Sequence, residues 1–152
     1  MAVDDRTPIF IGVAQVEQRE DDPSVAKEPL DLMVEAVRAA GEDCGNPKVL
    51  ELADSVRVIR GIWGYGNPAR QVAERIGASG AETGLTSLGG NYVQSMTNRS
   101  FLDIQSGKNE IVIVTGGECG RTQGRARKAG LELDWNPLTR EPGASPTTRD
   151  DG

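Results

Sequence analysis

A chain of 152 residues with 37% hydrophobic and 26% charged residues is sized for one ordinary soluble domain and is too apolar for a disordered polymer. Its net charge of -6 excludes a general nucleic-acid binder, because phosphate backbones are held through an excess of Lys and Arg. No apolar run approaches the roughly 18 residues of a membrane span, and the acidic start "MAVDDRTPIF" is unlike a secretory signal. The two cysteines, Cys44 and Cys119, have neither a disulfide framework nor a metal-ligand spacing, so a reducing cytoplasm and no metal are expected. Histidine is absent, which removes the commonest general base near neutral pH.

The first predicted element is a buried strand at residues 8–13, "PIFIGV", an apolar run that ends at a glycine corner. Residues 20–28 are polar and contain proline, hence a loop. In "PLDLMVEAVRAAGEDCG", Pro29 suits a first helical position, and Leu30, Met33, Val34 and Val37 fall on one face at i, i+3, i+4, i+7. Gly45 is the expected stop. A short helical turn is expected from Asn46 and Pro47 to Ala53, and "SVRVIRGI" then alternates as a strand does. Asn67 and Pro68 form a cap and first-turn pair, followed by the stripe Val72, Ala73 and Ile76 and a stop at Gly77.

"TGLTSL", residues 83–88, reads as a further short strand. The helix over residues 91–106 carries Val93, Met96, Thr97, Ser100, Phe101 and Ile104 on one face over three turns, so it is expected to be the most buried helix. Gly107 ends it, and "EIVIVT", residues 110–115, is the strongest strand signal in the chain. The order β-α-β-α-β-α-β implies an α/β fold with one mainly parallel sheet, whose ligands gather at the loops after the strands. Beyond Gly120, "RTQGRARKAGLELDW" is expected to make a short basic helix, and "NPLTREPGASPTTRDDG" to be loop or disordered tail.

Five segments in this order resemble the thiolase superfamily, in its sterol-carrier-type, acetyl-CoA acetyltransferase-like branch. They are "PIFIGVAQ", "PLDLMVEAVRAAGEDCG", "DSVRVIRGIWGYGNPARQVAERIGA", "TSLGGNYVQSMTNRSFLDIQSG" and "IVIVTGGECGRT". The resemblance implies a thiolase-like βαβαβαβ half of a layered αβαβα fold over residues 1–119, with residues 120–152 starting a cover region or tail. It also implies a coenzyme A thioester as substrate with no covalently bound cofactor. Dimers are the implied minimal assembly, and a small OB-fold protein is an implied partner. Full thiolases are much longer, so the second half is expected either on a longer product or from another chain. A lone half should then leave apolar surface uncovered and dimerise, aggregate or require that second half.

In typical members a nucleophilic cysteine stands at the start of the third helix, where positive backbone charge favours a thiolate. Here Gly90 or Asn91 stands there, and neither can form a thioester. Cys119 lies after the next strand in "GGECG" and is the lesser candidate nucleophile, activated if Arg121 reaches it. Glu118 matches an acidic residue of the family's glycine-rich turn. Gly90, Asn91, Glu118 and Arg121 are therefore the candidate substrate-binding residues. Each has a plainer alternative: a helix cap for Gly90 and Asn91, tight turns for Gly116, Gly117 and Gly120, and a solvated face for Arg121, Arg125, Arg127 and Lys128. Trp63 and Tyr65 read as loop aromatics packed on the sheet edge.

Three functions remain open at this level. One is an acyl-CoA acyltransferase to which this chain contributes its N-terminal part. Another is a noncatalytic thiolase-like subunit that binds acyl-CoA or scaffolds a partner. The third is a nucleotide-binding α/β module, though "GGECG" lacks both the G-x-G-x-x-G spacing and a G-K-[ST] ending.

Overall fold

A computed structural model describes residues 4–135. Helix α1, Pro29–Asp43, starts on its proline and buries Leu30, Met33, Val34 and Val37, the stripe its spacing specifies. Fully burying side chains of this size contributes roughly 1.5–3 kcal/mol each. Gly45, at φ 79°, closes the helix in a conformation that other residues adopt with strain. A 3₁₀ turn at Pro47–Leu52 leads to strand β1, Ser55–Arg60. Helix α2, Pro68–Arg75, opens on Asn67, whose side chain accepts a hydrogen bond from the Arg70 backbone N–H. Strand β2, Glu82–Leu88, leads to helix α3, Tyr92–Gln105, then strand β3, Val112–Gly116, and helix α4, Gly120–Ala129.

The three strands form one parallel sheet in the order β2-β1-β3. Ser55 stands opposite Glu82 on one side and Val112 on the other, with an irregularity against β2 between Val58 and Arg60. Alternation along β1 divides the faces. Val56 and Val58 join the α1 and α2 core with Val34, Val72 and Leu85. Ser55 and Arg57 face α3, where Arg57 bonds side chains of that helix. This is an α/β half-fold with helices on both faces of a parallel sheet.

Two expectations are corrected. Residues 8–13 are extended but belong to no sheet. β1 already has β2 and β3 as neighbours, and the segment is pinned by other contacts. Its Val13 N–H donates to Asp43 Oδ2 at 2.9 Å, Phe10 meets Phe101 edge-on at 5.3 Å, and Gly12 presses so close to the Ala40 carbonyl that a Cβ would not fit. A cavity lies between this segment and β3, so no ladder forms.

Helix α3 is also not the most buried. It buries only Met96, Ser100 and Asp103, whereas Val93 is 51% and Leu102 59% exposed. α1 buries six residues and takes that place. The stripe on α3 has the right period, but its described neighbours cover only the side turned toward the sheet. Ile9, Phe10, Ile62 and Leu88 are likewise exposed, so the half-fold does leave apolar surface uncovered.

Candidate functional site

Parallel strands deliver their following loops to one end of the sheet, and three glycine corners meet there. The corner after β1 holds Gly61, Ile62 and Trp63; the corner after β3 holds Gly116, Gly117 and Glu118. They are tied together. The Ile62 N–H donates to Glu118 Oε1 at 2.6 Å, Trp63 Nε1–H donates to the Gly117 carbonyl at 2.9 Å, and the Gln123 side-chain amide donates to the Ile62 carbonyl at 3.1 Å. Gly117 approaches α1 closely: a Cβ there would sit 3.1 Å from the Pro29 carbonyl and 3.2 Å from Met33 Cγ. The Trp63 and Tyr65 rings lie 5.1 Å apart, and the Tyr65 hydroxyl donates to Glu28 at 2.6 Å. Both aromatics therefore brace the corner.

The third corner joins β2 to α3. Gly89 has φ 144°, a backbone that favours glycine. Gly90, Gly116, Gly117 and Glu118 line one partly open cavity of about 680 Å³, whose other walls are residues 9–16, α1, β3 and the length of α3 from Val93 to Ile104. That volume falls within the ordinary range for small-molecule sites. Of the five candidate residues, Gly90 and Glu118 line the cavity. Asn91 is exposed beside it, and its side chain makes no cap hydrogen bond.

Cys119 and Arg121 point to other business. Cys119 is buried, and its thiol donates to the Lys27 carbonyl at 3.6 Å. Burial first, then the charges of Glu118 and Glu28, push its pKa up to about 11. At neutral pH only roughly one such thiol in ten thousand is ionised, the reverse of what a nucleophile needs. Arg121 pairs with Asp21 at 3.3 Å, and Arg125 pairs with the same carboxylate at 2.5 Å. The hydrogen bond and charge of Arg125, with the charge of Arg121, hold the Asp21 carboxyl below its usual range. The arrangement can hold a ligand between glycine corners; Cys119 does not line it, and the thiol that does, Cys44, belongs to the end of α1 rather than to a corner. Among the described residues no cluster of His, Cys, Asp or Glu could hold a metal ion, and no helix is long and apolar enough to cross a membrane.

The thiol shift carries a stability consequence with a definite sign. Cys119 prefers its protonated form in the folded state, so this contribution is intact below about pH 9 and is lost as pH rises toward 11. Roughly 2–3 kcal/mol should disappear over that window. The Tyr65 hydroxyl, raised by burial and by Glu28, acts in the same direction at still higher pH. Urea melts from pH 8 to 11 should therefore show a steep decline that becomes shallower in Cys119→Ala. An unchanged slope in that variant would contradict the assignment.

One group went unseen in the sequence. Arg57 is fully buried; its Nε donates to Ser55 Oγ at 3.1 Å and its NH1 to Ser100 Oγ at 3.1 Å. Its NH2 donates to Asp103 Oδ2 at 2.5 Å and to Asn109 Oδ1 at 3.5 Å. The available signal was an Arg at an inward position of an apolar strand, which requires a buried anion. Nothing in the spacing named Asp103 as that anion.

No protein-family model matches the chain, and no curated protein sequence does. A solved structure does match: a monomeric SCP2-thiolase-like protein, type 1, from Mycobacterium smegmatis, with a TM-score of 0.67 and 32% sequence identity, over 77% of this chain. The fold is thiolase-like. The match covers 24% of that protein, so this chain spans about a quarter of its length.

Proposed function

We propose that this chain contributes one half-fold of a thiolase-like, acyl-CoA-handling protein, and that its own part is to hold the thioester without attacking it. The supporting observation is that Gly90 and the Gly116, Gly117 and Glu118 corner line one cavity in which the opening of α3 carries no nucleophilic side chain; the thiol on the cavity wall, Cys44, stands at the far end of α1. The 32% identity to an SCP2-thiolase-like protein favours coenzyme A over a nucleotide as the ligand. Carbon–carbon bond making or breaking, in a complete acyltransferase of this kind, would draw its general base and covalent cysteine from residues outside this half. A dimer, a second half in trans or a small OB-fold protein would be the assembly partner.

Calorimetric titration with acetyl-CoA, CoA, ATP and NAD tests the reading. Acetyl-CoA and CoA should bind, ATP and NAD should not, and intact mass should show no acyl adduct. Asn91→Trp, which crowds the opening of α3, should weaken CoA binding by about tenfold, near 1.4 kcal/mol. A stoichiometric acyl adduct on Cys119 that vanishes in Cys119→Ser would overturn the noncovalent role. Binding of ATP or NAD alone would select a nucleotide-binding module.

A further inference from the structure

We propose that Arg57 is a positioning residue that sets where α3 lies along the sheet, and so where the Gly90 corner stands over the cavity. The apolar contacts of α3 are too few to fix its register. Of its three buried residues, only Met96 is apolar; the other two, Ser100 and Asp103, both bond the Arg57 guanidinium. They stand three residues apart, so they project from one face of the helix on successive turns. All three guanidinium nitrogens are engaged, and the planar fork admits little rotation. The same group bonds Ser55 on its own strand and Asn109 before β3, which makes it the common point of β1, α3 and the approach to β3.

Directional buried charge is well suited to choosing a register that apolar packing leaves open. Sliding α3 by one turn would move its opening, and with it the Gly90 wall of the cavity, by about 5.4 Å. Ser100 itself lines the cavity, so the clamp sits directly beneath the space it shapes. This inference rests on the proposed CoA-binding role for the importance of that corner, but not for the positioning itself.

The test uses the full chain with spin labels at Gln94→Cys on α3 and Glu74→Cys on α2, in a background where Cys44 and Cys119 are replaced by Ala. Distance distributions are measured by double electron–electron resonance without ligand, alongside thermal melts and CoA titration. The paired variant Arg57→Met/Asp103→Leu removes both charges, a change that buried pairs often tolerate. It should remain folded while its distance distribution broadens or shifts by up to about one helical turn, ~5.4 Å, and CoA binding falls by about tenfold or more. Arg57→Lys keeps a cation but not the fork, and should show the same broadening. A folded variant with the parental distribution overturns the proposal. If neither variant folds, the network supports the fold rather than positioning the helix, which also overturns it. A changed distribution in a protein whose parent binds no CoA upholds the positioning and sinks the CoA reading instead.

Discussion

Asp103→Leu is expected to lose about 3–5 kcal/mol of unfolding free energy, enough to leave a domain of ordinary stability close to unfolded. Removing this carboxylate strands the fully buried Arg57 with only the neutral acceptors Ser55, Ser100 and Asn109. The reciprocal change, Arg57→Met, should cost less. Asp103 would still have Arg99 at 3.4 Å and Lys108 at 4.0 Å, both with exposed side chains that can adjust. Urea denaturation of the two single variants checks the order. Equal losses, or a larger loss for Arg57→Met, would show that the two outer cations do not compensate Asp103.

Met33→Ala should remove about 2–5 kcal/mol, the usual cost of truncating a buried Met and leaving a cavity. Met33 is fully buried in the core between α1 and the sheet. It also backs the Gly117 turn, since a Cβ on that glycine would meet Met33 Cγ at 3.2 Å. The same truncation should therefore speed hydrogen exchange in the Gly116, Gly117 and Glu118 corner before it affects β2. Met33→Leu, which conserves volume, should lose less than about 1.5 kcal/mol. Faster exchange spread evenly over all three strands in Met33→Ala would mean that the loss is global and the corner has no special dependence on α1.

Elements whose partners are close in sequence were legible before any coordinates. α1 and α2 announce themselves by Pro at the first turn, an apolar stripe and a closing glycine, because each signal is local backbone chemistry. β1 reads correctly because its residues alternate between the two faces of the sheet, and β3 because it is a short apolar run. Residues 8–13 carry the same apolar pattern, yet their hydrogen bonds go elsewhere: pattern reports burial preference, not which edge is free. The burial of α3 failed for a related reason, since periodicity names a face without saying what covers it. At the site, Gly90 and Glu118 were brought to one cavity as the corner argument implies. Arg121 was not, because Asp21, a hundred residues upstream, takes its charge. The Arg57 network was illegible because it joins a strand to a helix 46 residues away.

The extended stretch at residues 9–16 has a consequence for the order of assembly during synthesis. It is made before its anchors: Asp43 lies 30 residues downstream of Val13, and Phe101 lies about 90 residues beyond Phe10. At about 5–20 residues per second, Phe10 waits roughly 5–20 seconds for its aromatic partner to be made. Throughout that interval Ile9, Phe10, Ile11 and Val13 are available to any hydrophobic surface nearby, including another nascent chain. Phe10 is made long before it can be seated, and chaperone capture of this stretch would act on the chain at the moment when its own later sequence cannot.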